Sequence, residues 1–237
     1  MRTKTYTYKA LSALLSYPTR EMKAASEQLR DVLRSEAAIP PSALRSLERL
    51  LDDLRDMDLY DLQERYVFLF DRTRSLSLHM FEHVHGESRD RGQAMVDLKT
   101  LYEQSGLDVD AKELPDFIPM FLEFLALKDA REARALLIEP LSVLTALKER
   151  LQKRKSPYAA VFRALEAIAG SEASIRELEE LRKAPDDDPN DFEALDAAWE
   201  DQPVTFGPGE AACPMAENIV RRFNDDAAAT AKEQSHG

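Results

Sequence analysis

His79, His83 and His85 stand close together in the stretch from Ser75 to Met95, with Glu82 and Glu87 among them and Arg89-Asp90-Arg91 just beyond. Imidazoles and carboxylates at this density hold a divalent metal, move protons, or grip a charged partner. On a continuous helix His79, Glu82 and His83 share one face, and His85 follows as the chain turns at Gly86, so a metal-dependent helical enzyme is one expectation. The spacing is not His-Glu-x-x-His and no Cys-x-x-Cys pair accompanies it, which favours a structural or binding role. The single cysteine, Cys213, precedes Pro214, and no Gly-x-Ser-x-Gly elbow occurs, so no nucleophilic site is assembled. Gly86-Glu87-Ser88-Arg89-Asp90-Arg91-Gly92 lacks the lysine of a phosphate-binding loop. It reads as a joint: Gly86 ends one helix, Ser88 caps the next, and the charged triplet pairs with nearby carboxylates.

A second pattern points to binding. Tyr66, Phe70, Met80, Phe81, Phe117, Phe121 and Phe124 interleave with Asp71, Glu82, Glu87, Glu113, Asp116 and Glu123. Apolar sockets beside carboxylates are what helix-in-groove recognition of a basic amphipathic peptide requires. More than about half of these aromatics should nonetheless be ordinary core. The overall charge agrees with a basic partner: 44 Asp and Glu against 32 Lys and Arg leave a net charge of -12, which repels nucleic acid. Lys148, Arg150, Lys153, Arg154 and Lys155 read as a solvated helix end favoured by the helix dipole. One free thiol suits a reducing compartment, and neither a membrane span nor a signal peptide is evident, so a cytoplasmic location is expected.

The elements that must position these residues are helices. Apolar residues recur at helical spacing from Tyr6 to Tyr17, from Thr19 to about Glu36, after Ser42, and after Asp58, where Leu59, Leu62, Tyr66, Leu69 and Phe70 form a stripe. Asp116 is placed to cap a very apolar helix with Pro119 in its first turn, either buried centrally or lending one side to a groove. Pro140 should split the helix that begins at Asp129, and Gly170 should close the one after Ser156-Pro157. Ser174 and Glu177 have capping-box spacing, as do Asn190 and Glu193. With seven glycines and no strand alternation, the chain is expected to be all-α: a single compact multi-helix bundle over residues 1–184. Residues 185–237 follow as an acidic linker, a short helix near Trp199 and a flexible, irregular C-terminal tail.

The runs Tyr66-Val67-Phe68-Leu69-Phe70-Asp71-Arg72, Ser77 to Met95, Glu113-Leu114-Pro115-Asp116-Phe117 and Phe121-Leu122-Glu123-Phe124-Leu125 together resemble the NarJ family of nitrate reductase assembly chaperones, as does Trp199 to Phe206. That family sits within the wider TorD/DmsD group of redox-enzyme maturation chaperones, whose Glu-x-Pro-Asp motif is Glu113-Leu114-Pro115-Asp116 here. Phe117 stands where many of the group have histidine, and Asp71-Arg72 replaces their Gly-Pro-Gly loop, which argues against the nucleotide binding of some relatives. The resemblance implies an all-helical, non-catalytic chaperone with no cofactor of its own. Its implied partner is the apo catalytic subunit of nitrate reductase, gripped by its N-terminal leader-like peptide until molybdenum cofactor is inserted; proteins that deliver that cofactor are further candidate partners. The peptide-binding residues expected on this basis are Tyr66, Phe70, Asp71, His79, Glu82, His83, His85, Glu87, Arg89, Asp90, Arg91, Glu113, Pro115, Asp116, Phe121 and Glu123. Titration of a histidine among them should make the affinity pH-dependent.

Overall fold

Caps and prolines set the helix limits in the computed structural model, which describes residues 6–85, 89–109, 113–184, 186, 215, 218–222 and 224, without the side chains of His85, Arg89 and Asp90. Helix α1 (Tyr6–Leu15) turns Tyr8, Leu11, Leu14 and Leu15 inward. Its first amides are satisfied from a distance, since Glu36 accepts from Tyr6 and Thr7, each at 2.7 Å. Thr19 caps α2 (Arg20–Ala24) by accepting from the Met22 amide at 3.2 Å. The single helix expected up to Glu36 is broken at Ala25, and α3 (Ser26–Ser35) follows. Helix α4 (Pro41–Asp56) begins before Ser42, because Pro41 already has the fixed φ of a first helical residue; Ser42 is therefore not the cap. Asp58 does cap α5 (Leu59–Tyr66), at 2.8 Å from the Tyr60 amide.

Beyond Tyr66 the helix widens into a π-turn over Val67–Asp71, and a short 3-10 turn covers Arg74–Leu76. Helices α6 (Glu82–His85) and α7 (Arg89–Gln104) come next, and Gly106, at φ +79°, supplies the left-handed turn that leaves α7. Helix α8 (Ile118–Leu125) carries Pro119 in its first turn. Asp129 caps α9 (Ala130–Ile138), and Pro140 separates it from α10 (Leu141–Lys153). Helix α11 (Ala159–Ala169) ends at Gly170, at φ +55°. Helix α12 (Ile175–Lys183) is not opened by the anticipated capping box: Ser174 makes no side-chain cap, and Glu177 instead accepts from Ser142 of α10 at 2.7 Å. The helix anticipated near Asn190 to Trp199, the stretch Pro203 to Gly209, and the proposed ends at Gly86 and Ser88 lie outside the described residues.

The apolar helix α8 is central rather than half-open: only Glu123 on it is exposed, and Ile118, Leu122, Phe124 and Leu125 are fully buried. Helix α1 packs along it, and the Ser12 hydroxyl donates to the Pro119 carbonyl at 2.8 Å. Helix α10 lies against α11 and α12, while α4 lies against α3 and α11. Arg30 of α3, almost fully buried, clasps α4 through Glu48 and through Asp52 at 2.8 Å. Among the described residues the fold is all-α, its one extended pairing being an isolated antiparallel bridge between His79 and Phe117. That bridge is where the chemistry-bearing residues meet.

Candidate functional site

Two segments outside the α-helices, 72–81 with its short 3-10 turn and 113–117, cross next to α8. A loop buried this deeply needs partners for its backbone groups, and side chains from distant helices provide them. Arg150 of α10 donates to the Ser75 carbonyl at 2.7 Å and to the Leu181 carbonyl at 2.8 Å. It is buried, not the solvated helix end expected, and Lys148 beside it is tied to Glu166 at 2.6 Å. His83 Nε2 lies 2.8 Å from the Ser77 carbonyl. Burial pushes the His83 pKa below 6.5, helped by Arg150 and opposed by the Ser77 bond and by the Glu82 and Asp116 charges. The ring is thus neutral at pH 7, and its Nε2–H donates to Ser77.

Asp116 fastens the crossing. Its side chain is fully buried; one carboxylate oxygen faces His79 Nδ1 at 3.1 Å, and the other accepts from the Phe81 amide at 3.1 Å. The main chain adds Met80 N–H to the Asp116 carbonyl at 3.1 Å and Ile118 N–H to the Leu78 carbonyl at 2.9 Å. The buried Tyr102 hydroxyl of α7 donates to the Pro115 carbonyl at 2.9 Å. Asp116 is therefore not the cap of α8. Phe117 holds that position, and Pro119 lacks an amide such a cap would bind, so the carboxylate turns inward.

His79, with its side chain 24% exposed, is the half-open member of this cluster. Burial opposes its charged form, but the Asp116 hydrogen bond and the Asp116, Glu82 and Glu113 charges outweigh it and raise the pKa above 6.5. Its ring lies 5.3 Å from that of Phe117. Glu82 pairs with Arg91 at 3.3 Å, joining α6 to α7.

Toward solvent, Asp71, Glu113, Leu114 and Val84 are exposed, while His79, Glu82 and Phe117 are partly so. Glu113 bears electrostatically on both His79 and the Tyr66 hydroxyl, and Asp71 also bears on Tyr66. Carboxylates and apolar side chains thus reach solvent together there, with Arg72 and Arg74 of the same segment exposed as well.

Several expected contact residues are core instead. Tyr66 is buried, donates to the Leu15 carbonyl at 2.9 Å, and stacks with Phe70 at 4.9 Å; Phe70 in turn meets Tyr158 at 5.0 Å. Phe121 and Pro115 are buried as well. The sockets they were expected to offer are filled by neighbouring rings and helices. His79 and His83 do not share a helix face: His79 lies in the bridge before α6, and the two rings bind Asp116 and Ser77 respectively. Among the described residues no three His, Cys, Asp or Glu side chains converge as metal ligands; of the set in the alternative enzyme reading, His79, Glu82 and His83 are engaged by Asp116, Arg91 and the Ser77 carbonyl respectively. His85, Arg89 and Asp90 stand at the facing ends of α6 and α7, and Glu87 lies outside the described residues. Tyr102 and Arg150 were missed because each sits in an ordinary helical pattern that gives no sign of its distant partner.

A helical body in which His79, His83 and the buried Asp116 carboxylate pin loops beneath exposed carboxylates and apolar side chains has the build of a binding protein. The sequence model of the nitrate reductase delta subunit family matches residues 19–164, a span holding the whole crossing, and the chain belongs to that family. It is 41% identical over 198 residues, 83% of each chain, to the nitrate reductase molybdenum cofactor assembly chaperone NarJ of Escherichia coli strain K12. Identity to the probable chaperone of the same kind NarW, from the same strain, is 36% over 223 residues, 93% of each chain. The probable NarJ chaperone of Bacillus subtilis strain 168 is 35% identical over 162 residues, 67% of this chain and 85% of that one. Among the described residues no helix is long and apolar enough to cross a membrane.

Proposed function

We propose that this chain is a system-specific assembly chaperone of nitrate reductase. It binds the N-terminal leader-like peptide of the apo catalytic subunit and keeps that subunit competent for molybdenum cofactor insertion before it docks on its membrane partner. It works in the cytoplasm, without a catalytic step or a cofactor of its own, alongside the proteins that deliver the molybdenum cofactor. The observation that carries the reading is that Asp71, Glu82 and Glu113 are at least partly exposed together with Val84, Leu114 and Phe117, beside a crossing pinned from three helices, α6, α7 and α10. Carboxylates there meet the arginines of a basic amphipathic helix, and the partly exposed side chains meet its apolar face. The assigned peptide contacts are Asp71, His79, Glu82 and Glu113, with Tyr66, Phe70, Asp116 and Phe121 supporting them from beneath.

Isothermal calorimetry of the full chain with a synthetic peptide of the catalytic subunit's N-terminus tests this. One peptide should bind per chain, more weakly as salt is raised, because part of the attraction is between surface charges. Absence of heat from a folded chain at several temperatures would overturn the reading.

A further inference from the structure

Tyr17 carries a large ring into solvent between α1 and α2. The backbone beside it is fixed, since the Pro18 carbonyl accepts from Gln63 Nε2 of α5 at 2.8 Å and Thr19 caps α2. The ring stands at right angles to that of Tyr66, with centroids 5.6 Å apart. Behind Tyr66 the contacts continue to Phe70 at 4.9 Å, and from Phe70 to Tyr158 at 5.0 Å. Tyr66, Phe70 and Tyr158 are buried, so an aromatic row runs from solvent into the core.

The far end of this row already holds an arginine. The Arg65 guanidinium lies 5.7 Å from the Tyr158 ring centroid, and Asp53 pairs with the same group at 2.7 Å. A ring face and a carboxylate make a favourable seat for a planar cation, because the ring quadrupole and the ionised oxygens attract it together. The outer end has the same two parts. Tyr17 supplies the ring, and the charges of Asp71 and Glu113 both bear on Tyr66, the ring it packs against. Asp71 follows Phe70 directly, on a π-turn closed by the Arg72 amide, which donates to the Val67 carbonyl at 3.0 Å. Both carboxylates are exposed and belong to the rim of charged and apolar side chains beside the crossing. Among the described residues no cation stands over Tyr17.

We propose that Tyr17 is a specificity-determining residue of the client site: its ring face receives one arginine of the client peptide, whose charge the Asp71 and Glu113 carboxylates meet. This rests on the reading of the client as a basic peptide bound at the rim, and it extends that rim past Tyr66 to the end of α1. An exposed contact of this kind changes affinity about two- to fivefold.

Calorimetry of the full chain, Tyr17→Phe and Tyr17→Leu tests it, using the catalytic subunit's N-terminal peptide and versions with one arginine at a time replaced by glutamine. Tyr17→Leu keeps an apolar side chain but has no ring. It should bind the unaltered peptide about two- to fivefold more weakly than wild type, while Tyr17→Phe stays within about twofold. With one of the glutamine peptides the difference between wild type and Tyr17→Leu should disappear, which a packing role for Tyr17 does not predict. An equal loss with every peptide, or no loss with any, overturns the role of Tyr17 and leaves the chaperone reading standing. Failure of the peptide to bind folded wild type overturns both.

Discussion

Replacing Asp116 by alanine removes the acceptor that holds two segments together, and the cost follows from its surroundings. The Phe81 amide, in a fully buried residue, loses its hydrogen-bond acceptor, a penalty of about 1–3 kcal/mol. The charge-assisted bond to His79 adds about 1–2 kcal/mol, at the low side of such bonds because His79 is one-quarter open to solvent. The sum, about 2–5 kcal/mol, is a large share of the roughly 5–15 kcal/mol that holds a domain together. Asp116→Asn should cost less, since its amide oxygen still accepts from Phe81 while the ionic contact is gone. Urea unfolding monitored by circular dichroism gives the numbers. Amide hydrogen exchange at Met80, Phe81 and Ile118 should accelerate in Asp116→Ala, because those amides line the crossing. A loss below about 1 kcal/mol, with exchange at these amides unchanged, would refute the account of Asp116 as the fastening residue.

Three further expectations use the same segments. Tyr102→Phe should destabilise by about 1–2 kcal/mol, because it strands the buried Pro115 carbonyl, lowering Tm by about 2–8 °C in a scanning calorimeter. The folded pKa of His79 lies above its unfolded value near 6.5, so the stability it contributes is complete below that value and is lost as pH rises through the folded pKa. The stability gap between wild type and His79→Ala should accordingly narrow from pH 6 to pH 9, while His83, whose pKa is lowered, contributes stability present above its unfolded value and lost as pH falls. Gly170→Ala should cost about 1–2 kcal/mol by urea unfolding: the residue sits at φ +55°, and an added Cβ would run into Arg134 Nη2, a group bonded to the Gly170 carbonyl.

Local signals in the sequence were legible and tertiary ones were not. Thr19, Asp58, Asp129, Pro140 and Gly170 act where their types predict, because caps and breakers work within a turn of themselves. Ser174 and Glu177 have the right spacing yet do not cap, since Glu177 finds Ser142 on another helix. Asp116 shows the same limit at the site: its position before an apolar helix suggested a cap, but its partners come from segment 79–81, which no local pattern reveals. The sequence favoured a structural or binding role for the histidine cluster, and in the structure His79 faces Asp116 and His83 the Ser77 carbonyl. The cluster's geometry was not legible, because the periodicity carried no mark of the break that places His79 in an extended bridge. Tyr66, Phe70 and Phe121 illustrate the remaining ambiguity, since an aromatic stripe reads alike whether it fills a core or lines a groove.

The rim over the crossing is the central claim, and chemical-shift mapping of the isotope-labelled chain tests it most directly. On addition of the catalytic subunit's N-terminal peptide, the largest amide shifts should fall on Asp71, His79, Glu82, Val84, Glu113, Leu114 and Phe117. Shifts confined to the clasp of Arg30, Glu48 and Asp52 between α3 and α4, with the rim unmoved, would contradict it.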